Sequence, residues 1–317
     1  MDQNKTTGNF TQTFTHTVTP SPMALLFKHS NYAQAVCTLT DIFNLSLFNN
    51  MRTSIIMADL QFPEGPAFDR NKNLWCVEQK GASLLCINGH TVKRIQVGGG
   101  PNGIAIDKAG LVWFCDSGEN SIRTHNPATG ETSTILKTID SQPLNMPNDL
   151  AFDHLNQLIF TCPGPKPDSA EGYICVYNSK QNLHKVATGF YYPNGLAFTQ
   201  NGEQLLVAET GKQRIWIGDW NAEECNWTNR RVFANTGGAI GPDGMALDED
   251  GNLYVAVFGD GCVRVFDPAG KHVNDIQVPG KNPTNCAFDP FQRWGLVVTE
   301  AEKGSLISVP IMMRGIL

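Results

Sequence analysis

Residues 243–258 read Asp243-Gly244-Met245-Ala246-Leu247-Asp248-Glu249-Asp250-Gly251-Asn252-Leu253-Tyr254-Val255-Ala256-Val257-Phe258. An x-G-x-A-φ-D stretch leads into a polar turn at 248–251, and a β-branched and aromatic run begins at Leu253. The apolar period is two rather than three to four, so the segment is strand, turn, strand and not helix. The same pattern returns as EGPAFDRNKNLWCVEQ from Glu64, NGIAIDKAGLVWFCDS from Asn102, NDLAFDHLNQLIFTCP from Asn148, NGLAFTQNGEQLLVAET from Asn194 and, degenerately, TNCAFDPFQRWGLVVTE from Thr284. The starts are spaced by 38, 46, 46, 49 and 41 residues.

After the second strand of each copy comes a third, such as Cys262–Phe266 or 214–217, and then a weaker fourth. Short strands joined by tight turns at a period near 45 mean four-stranded blades, and six copies mean an all-β, six-bladed β-propeller. One blade buries little alone, so the blades must stack in a ring. The sixth copy shows only three strands, near 284–289, 295–299 and 305–309. Residues around Thr53–Met57 are expected to supply its outer strand, which closes the ring and removes an exposed edge.

The propeller thus takes residues 51–317. Residues 1–50 read as a peripheral or mobile extension, with a packed lid or an upstream start codon as the other readings. Fifty residues of this composition make a poor independent core.

The chain of 317 residues carries a formal charge of −6 and no local Lys/Arg run. Nucleic acid and anionic membranes are therefore excluded as partners. No apolar stretch reaches the roughly 18–20 residues of a membrane span, and the first 22 residues lack the apolar core of a secretory signal. Nine cysteines without a C-x-x-C pair point to buried, reduced thiols and a cytoplasmic address.

In a propeller, equivalent positions surround the axis. The first residues of the copies are Glu64, Asn102, Asn148, Asn194, Asp243 and Thr284: two carboxylates and three carboxamides, with no basic residue. Asn, Asp and Gly are ordinary turn residues, and for Asn102 that reading stands equally well. Glu64 is a poor turn residue, and as a set the oxygens suit one hard divalent cation.

The motifs E-G-P at Glu64–Pro66, P-N-D-L at 147–150, P-N-G-L-A-F at Pro193–Phe198 and P-D-G-M-A-L-D-E-D-G-N-L-Y-V-A at 242–256 resemble the regucalcin/gluconolactonase/luciferin-regenerating-enzyme family, in order from about Phe62 to Pro310. The resemblance implies that Glu64, Asn148, Asn194 and Asp243 bind one divalent cation, calcium first, with Mg²⁺, Mn²⁺ or Zn²⁺ as alternatives. It implies a metal-dependent lactonase acting on a small sugar-type or related lactone, with Asp243 also the general base and Asn102 lining the substrate pocket.

This chain departs from the family pattern at two places. Met146 stands where animal regucalcin-like members carry arginine. Cys162, in Phe160-Thr161-Cys162-Pro163, stands where many bacterial gluconolactonases carry aspartate. No base adjoins Cys162 to make it a nucleophile, so it is expected as an altered pocket wall. Phe62 and the run Phe190-Tyr191-Tyr192 are expected to make the mouth aromatic, with Tyr192 against the substrate, which favours a more apolar lactone.

His90, His125, His154, His184 and His272 are expected at the surface. Asp116, Glu209 and Glu300, each after a second strand, are expected to bond the following turn. Three rival functions remain open: a phosphotriesterase-type hydrolase on the same metal site, a non-enzymatic calcium-binding propeller, and a metal-independent strictosidine-synthase-like propeller.

Overall fold

The computed structural model describes residues 52–311 and 313; the expected extension, 1–50, lies outside the described residues. The described chain folds into six four-stranded antiparallel sheets. The innermost strands are Pro63–Phe68, Pro101–Ile106, Leu150–Phe152, Pro193–Phe198, Gly241–Leu247 and Pro283–Phe288. Each touches the next around the axis, and the last touches the first. The fold is a closed six-bladed propeller, as the repeat predicts. A short hairpin pairing Thr138–Ile139 with Gln142–Pro143 precedes blade three and was not foreseen.

The sixth blade takes its outer strand from Ser54–Met57, antiparallel to Ser305–Val309, with Ser54 opposite Ser308 and Ile55 opposite Ile307. The expected closing strand is therefore present. No helix among the described residues is long and apolar enough to cross a membrane.

The second strands explain why their sequences read as unbroken apolar runs. Successive side chains point to opposite faces of a sheet, and here each face meets another blade. Leu205 and Val207 pack with Ile159 and Ile174 of blade three, while Leu206 and Ala208 pack with Leu253 and Val255 of blade five. Leu74 and Cys76 likewise meet Val297 and Leu306 of blade six, and Trp75 and Val77 meet Val112 and Phe114 of blade two. Each fully buried aliphatic side chain here contributes about 1.5–3 kcal/mol.

The aspartate that follows five of the six innermost strands, replaced by Thr199 in blade four, has a structural task. Asp69 Oδ1 accepts from the backbone N–H of Asn71 and Asn73, and Asp107 Oδ1 from Ala109 and Leu111. Asp153, Asp248 and Asp289 repeat the arrangement. These Asx turns reverse the chain into the second strand.

One expectation fails. His125 is buried, not at the surface, beside the ring of Trp75. Its Nδ1 meets Thr132 Oγ1 at 2.9 Å, while its Nε2 has no partner.

Ring closure generates a test. A chain starting at Met51 is expected to melt as the full chain does. One starting at Leu60, which lacks Ser54–Met57 and exposes the edge of Ser305–Val309, is expected to lose several degrees of Tm or its cooperative transition. Thermal circular dichroism measures both; equal melting of the two would show that the closing strand contributes nothing.

Candidate active site

Five of the six innermost strands slip in register near their starts; Leu150–Phe152 of blade three pairs without a shift. The shifts fall between Glu64 and Ala67, Pro101 and Ile104, Pro193 and Leu196, Pro242 and Met245, and Pro283 and Asn285. Bulges of this kind re-aim side chains and are common beside functional sites. Here they fall at the first residues of the copies, the positions read as ligands.

Neighbouring blades pin these bulges together. Gly103 N donates to Asn148 O at 2.8 Å, and Thr161 Oγ1 to Asn194 O at 2.9 Å. Thr210 Oγ1 donates to Pro242 O at 2.6 Å, and Thr284 Oγ1 to Pro63 O at 2.8 Å. Carboxylates at the ends of second strands hold the loops that lead in: Glu78 accepts from Gln61 N, Asp116 from Gly100 N, Glu209 from Tyr191 N and Glu300 from Asn282 N. Asp116 and Glu300 also bond the following turn, through Glu119 N and Lys303 N. Both carboxylates thus have the expected structural part, together with a second one: fixing the ligand loops.

Glu64, Asn102, Asn148, Asn194 and Asp243 are all buried. Burial, then the charges of Glu64 and Asp149, push Asp243 well above the ordinary carboxylate range, against hydrogen bonds from Asn194 and Gly244. Burial, then Asp149, push Glu64 up to about 8, although Gly65 N–H and Asn285 favour its charged form. Glu64, Asn194 and Asp243 therefore share one environment. Asn148 precedes Asp149, which acts on both acids. Asn102 sits at the same level in blade two, next to Gly103, whose N–H holds Asn148.

Two residues escaped the sequence reading. Asp149 is buried and pushed up to about 6 by that burial. Asn285 Nδ2 donates to Asp149 Oδ2 at 3.4 Å across the axis, from blade six to blade three. The second position of the copies is glycine in blades one, two, four and five, but Asp149 and Asn285 in the two blades that face each other. A Cβ on Gly103 would lie 2.1 Å from Asp149 Oδ1, and one on Gly244 within 2.0 Å of Asn285 Oδ1. The glycines leave the space that this bridge fills, and the missing glycines at 149 and 285 were the signal.

Thr284, at the sixth ring position, does not face the axis as a donor. It is fully buried, with its hydroxyl engaged by Pro63 O and Thr299. Cys162 has no surface to offer a substrate: it packs in the core with Cys115, Tyr173 and Cys175. It occupies the place of the loop-holding carboxylates, and Tyr173 Oη takes over by accepting from Asn145 N at 3.0 Å. Phe190 is also core, between Trp216 and Trp227.

Phe62, Met146 and Tyr192 are half-buried and stand two residues before Glu64, Asn148 and Asn194. All three have left-handed backbone, with φ of 60°, 54° and 58°. Such strain in bulky residues persists only where surroundings enforce it. Tyr192 is near the acids, for after burial the charges of Asp243 and Glu64 raise its phenol. Phe62 reaches Phe258 of blade five, ring centroids 6.5 Å apart. The entry to the candidate site is thus partly aromatic, with Lys80 Nζ 5.1 Å from the Phe62 ring centroid.

The chain belongs to the SMP-30/gluconolactonase/LRE-like family, which it matches over residues 62–302. It is 28% identical to the diisopropyl-fluorophosphatase of Loligo vulgaris over 283 residues, 79% of this chain and 89% of that protein. It is 26% identical to the gluconolactonase of Zymomonas mobilis over 269 residues, 74% of this chain and 75% of that protein. The solved structure of a Xanthomonas campestris gluconolactonase is similar at a TM-score of 0.74 and 26% identity, over 83% of this chain and 90% of that one.

Among the described residues no three His, Cys, Asp or Glu side chains are grouped to hold a metal. The candidate set has two acids working with amides, which fits an oxygen-seeking cation rather than a nitrogen- or sulfur-seeking one. The clustered acids also call for a positive charge, since without one they hold protons far above their ordinary range.

The acids' raised affinity for protons sets a pH dependence. Unfolding returns them to ordinary carboxylate values, so without a cation the folded chain loses stability as pH rises from about 4.5 to about 8, the value for Glu64. Added calcium is expected to remove that loss. The Tm gap between calcium-supplemented and chelated protein should widen from pH 5 to pH 8; a constant gap would separate these acids from cation binding.

Proposed function

We infer that this protein is a divalent-cation-dependent hydrolase of a small lactone, with calcium the first candidate and Mg²⁺, Mn²⁺ or Zn²⁺ the alternatives. One observation carries the reading: the carboxylates of Glu64 and Asp243 are buried in one electrostatic environment, with Asn194 against Asp243. Glu64, Asn148, Asn194 and Asp243 would hold the cation. When bound, it would polarise a carbonyl and make a water more acidic.

The chain's own groups then divide the work. Asp243 accepts the proton of the attacking water as general base, a role worth about 10²–10⁴-fold in rate. Asn194, hydrogen-bonded to Asp243, fixes its orientation. Asn102 lies at the same level and contacts the substrate, while Tyr192, Met146 and Phe62 cover it and exclude water. Membership of the family and likeness to two gluconolactonases support a lactone as substrate. The eight described cysteines are free thiols, which suits a reducing compartment such as the cytoplasm.

The Loligo vulgaris relative, a diisopropyl-fluorophosphatase, favours a second reading, hydrolysis of a phosphorus ester at the same site. Side-by-side assays on δ-gluconolactone, apolar γ- and δ-lactones and diisopropyl fluorophosphate, after chelation and single-metal add-back, separate the two. Lactone turnover that exceeds phosphoester turnover and follows the metal is the expected result.

Two variants separate the acids' roles. Asp243→Asn is expected to keep some cation binding through its amide oxygen yet lose at least about 10²-fold in lactone hydrolysis, because an amide takes no proton. Glu64→Gln is expected mainly to weaken cation affinity, so excess calcium partly restores its rate. Near-normal turnover by metal-loaded Asp243→Asn would remove Asp243 as the base.

A further inference from the structure

Four buried side-chain polar atoms lack a hydrogen-bond partner among the described residues: Ser121 Oγ, Arg123 Nε, His125 Nε2 and Trp227 Nε1. Three of the four stand at alternate positions of one strand, Ser121–His125, the third of blade two. Alternation puts them on a single face. Ile122, between them, packs with Leu150 and Leu158 of blade three, whereas His125 lies beside Trp75 of blade one. The three atoms therefore face the seam between blades one and two. Folded proteins leave few buried polar groups unpaired, because each one costs the free energy of its desolvation. Three along one face point to a shared partner.

Other blades supply that partner from the end of the second strand. In blade one Glu78 stands opposite Ser83 and accepts from Ser83 Oγ at 3.0 Å and from Arg94 Nε. In blade four Glu209 accepts from Arg214 Nε at 2.6 Å. Blade two has Asp116 opposite Ser121, one methylene shorter. Its carboxylate is drawn to Gly100 N, Glu119 N and Arg123 Nη1, and it bonds neither Ser121 Oγ nor Arg123 Nε. The charges at this place balance, since Asp116 and Arg123 form an ion pair at 2.8 Å. Burial, then Lys93, hold His125 below its ordinary value, so its ring is neutral at neutral pH. A small neutral molecule that both donates and accepts hydrogen bonds fits here, and an ion does not.

We propose that this seam is a binding site for ordered water: one molecule bridges Ser121 Oγ and Arg123 Nε, and a second links the first to His125 Nε2. Same-face residues of a strand stand roughly 6.7 Å apart, and two hydrogen bonds through one water span about 6 Å. One molecule therefore reaches both groups. Buried waters typically serve polar groups that the chain itself leaves unpaired. The first water also backs the support of a ring residue. Arg123 Nη2 donates to Val97 O and Asp116 accepts from Gly100 N, which fixes the loop that enters at Asn102. The water completes the hold on that loop. None of this requires a bound cation or a lactone.

High-resolution crystals of the full chain and of its Asp116→Glu variant test the proposal. Density for a water is expected at both places in the unaltered chain. In Asp116→Glu the longer side chain is expected to reach Ser121 and Arg123 directly, as Glu78 and Glu209 reach their partners, and to displace the first water. Thermal melting of Ser121→Ala gives an independent sign. With a water on Ser121, the variant loses a hydrogen bond and its Tm falls by about 2 °C; an unpaired hydroxyl would instead raise Tm on removal. Hydrogen exchange at the Gly100 amide is expected to quicken in Ser121→Ala. The amides of Gln61 and Tyr191, held by Glu78 and Glu209, are expected to exchange as before. Absence of water at either place, a first water that persists in Asp116→Glu, an unchanged or raised Tm in Ser121→Ala, or unaltered exchange at Gly100 would each overturn it.

Discussion

Six innermost strands converge on one axis, and in four of them the second position of the copy leaves no room for a side chain. A Cβ on Gly195 would stand 2.5 Å from Asp243 O, and one on Gly65 2.7 Å from Ile104 N. In those four strands the register shift places glycine at the crowded point and leaves the residue before it free to project donor groups. Threonine hydroxyls of neighbouring blades, Thr161 and Thr210, fix the carbonyls of Asn194 and Pro242. The proposed ligands are thus positioned by packing of the whole ring, and no single loop determines their spacing.

That crowding concentrates acid where water is scarce. Glu64, Asp149 and Asp243 are buried within one another's fields, and each is driven to hold its proton. Amides rather than bases act on them, so among the described residues none supplies an internal cation for the ring. Asn194 and Asn285 favour the ionised forms only in part. A divalent cation, if held there, would resolve the conflict and turn the repulsion between buried carboxylates into affinity.

Much of the architecture was legible because a propeller repeats its constraints six times. The alternating strands, the Asx-turn aspartates and even the closing strand at 54–57 follow from the copies alone. Equivalence of position also drew Glu64 and Asp243 together across widely separated sequence. What escaped depends on contacts that no single copy contains. Asp149 and Asn285 matter as a pair because their blades face each other, although the loss of glycine at both positions was visible. Cys162 resembled a pocket residue by comparison with relatives, yet its place in every blade is structural, and a thiol there joins the core. Phe190 and His125 were assigned to surfaces, but Trp227 and Trp75 of adjoining strands cover them; periodicity within one strand does not disclose what a neighbouring strand brings.

The account stands on one point in space where the oxygens of Glu64, Asn148, Asn194 and Asp243 meet. A crystal of the full chain grown with manganese, examined by anomalous scattering at the manganese edge, locates the cation directly. The account predicts a single strong peak on the channel axis with those four side chains as its protein ligands, on the open side of the Asp149–Asn285 bridge. A peak held by other residues, or an axis without one in manganese-saturated crystals, would contradict it.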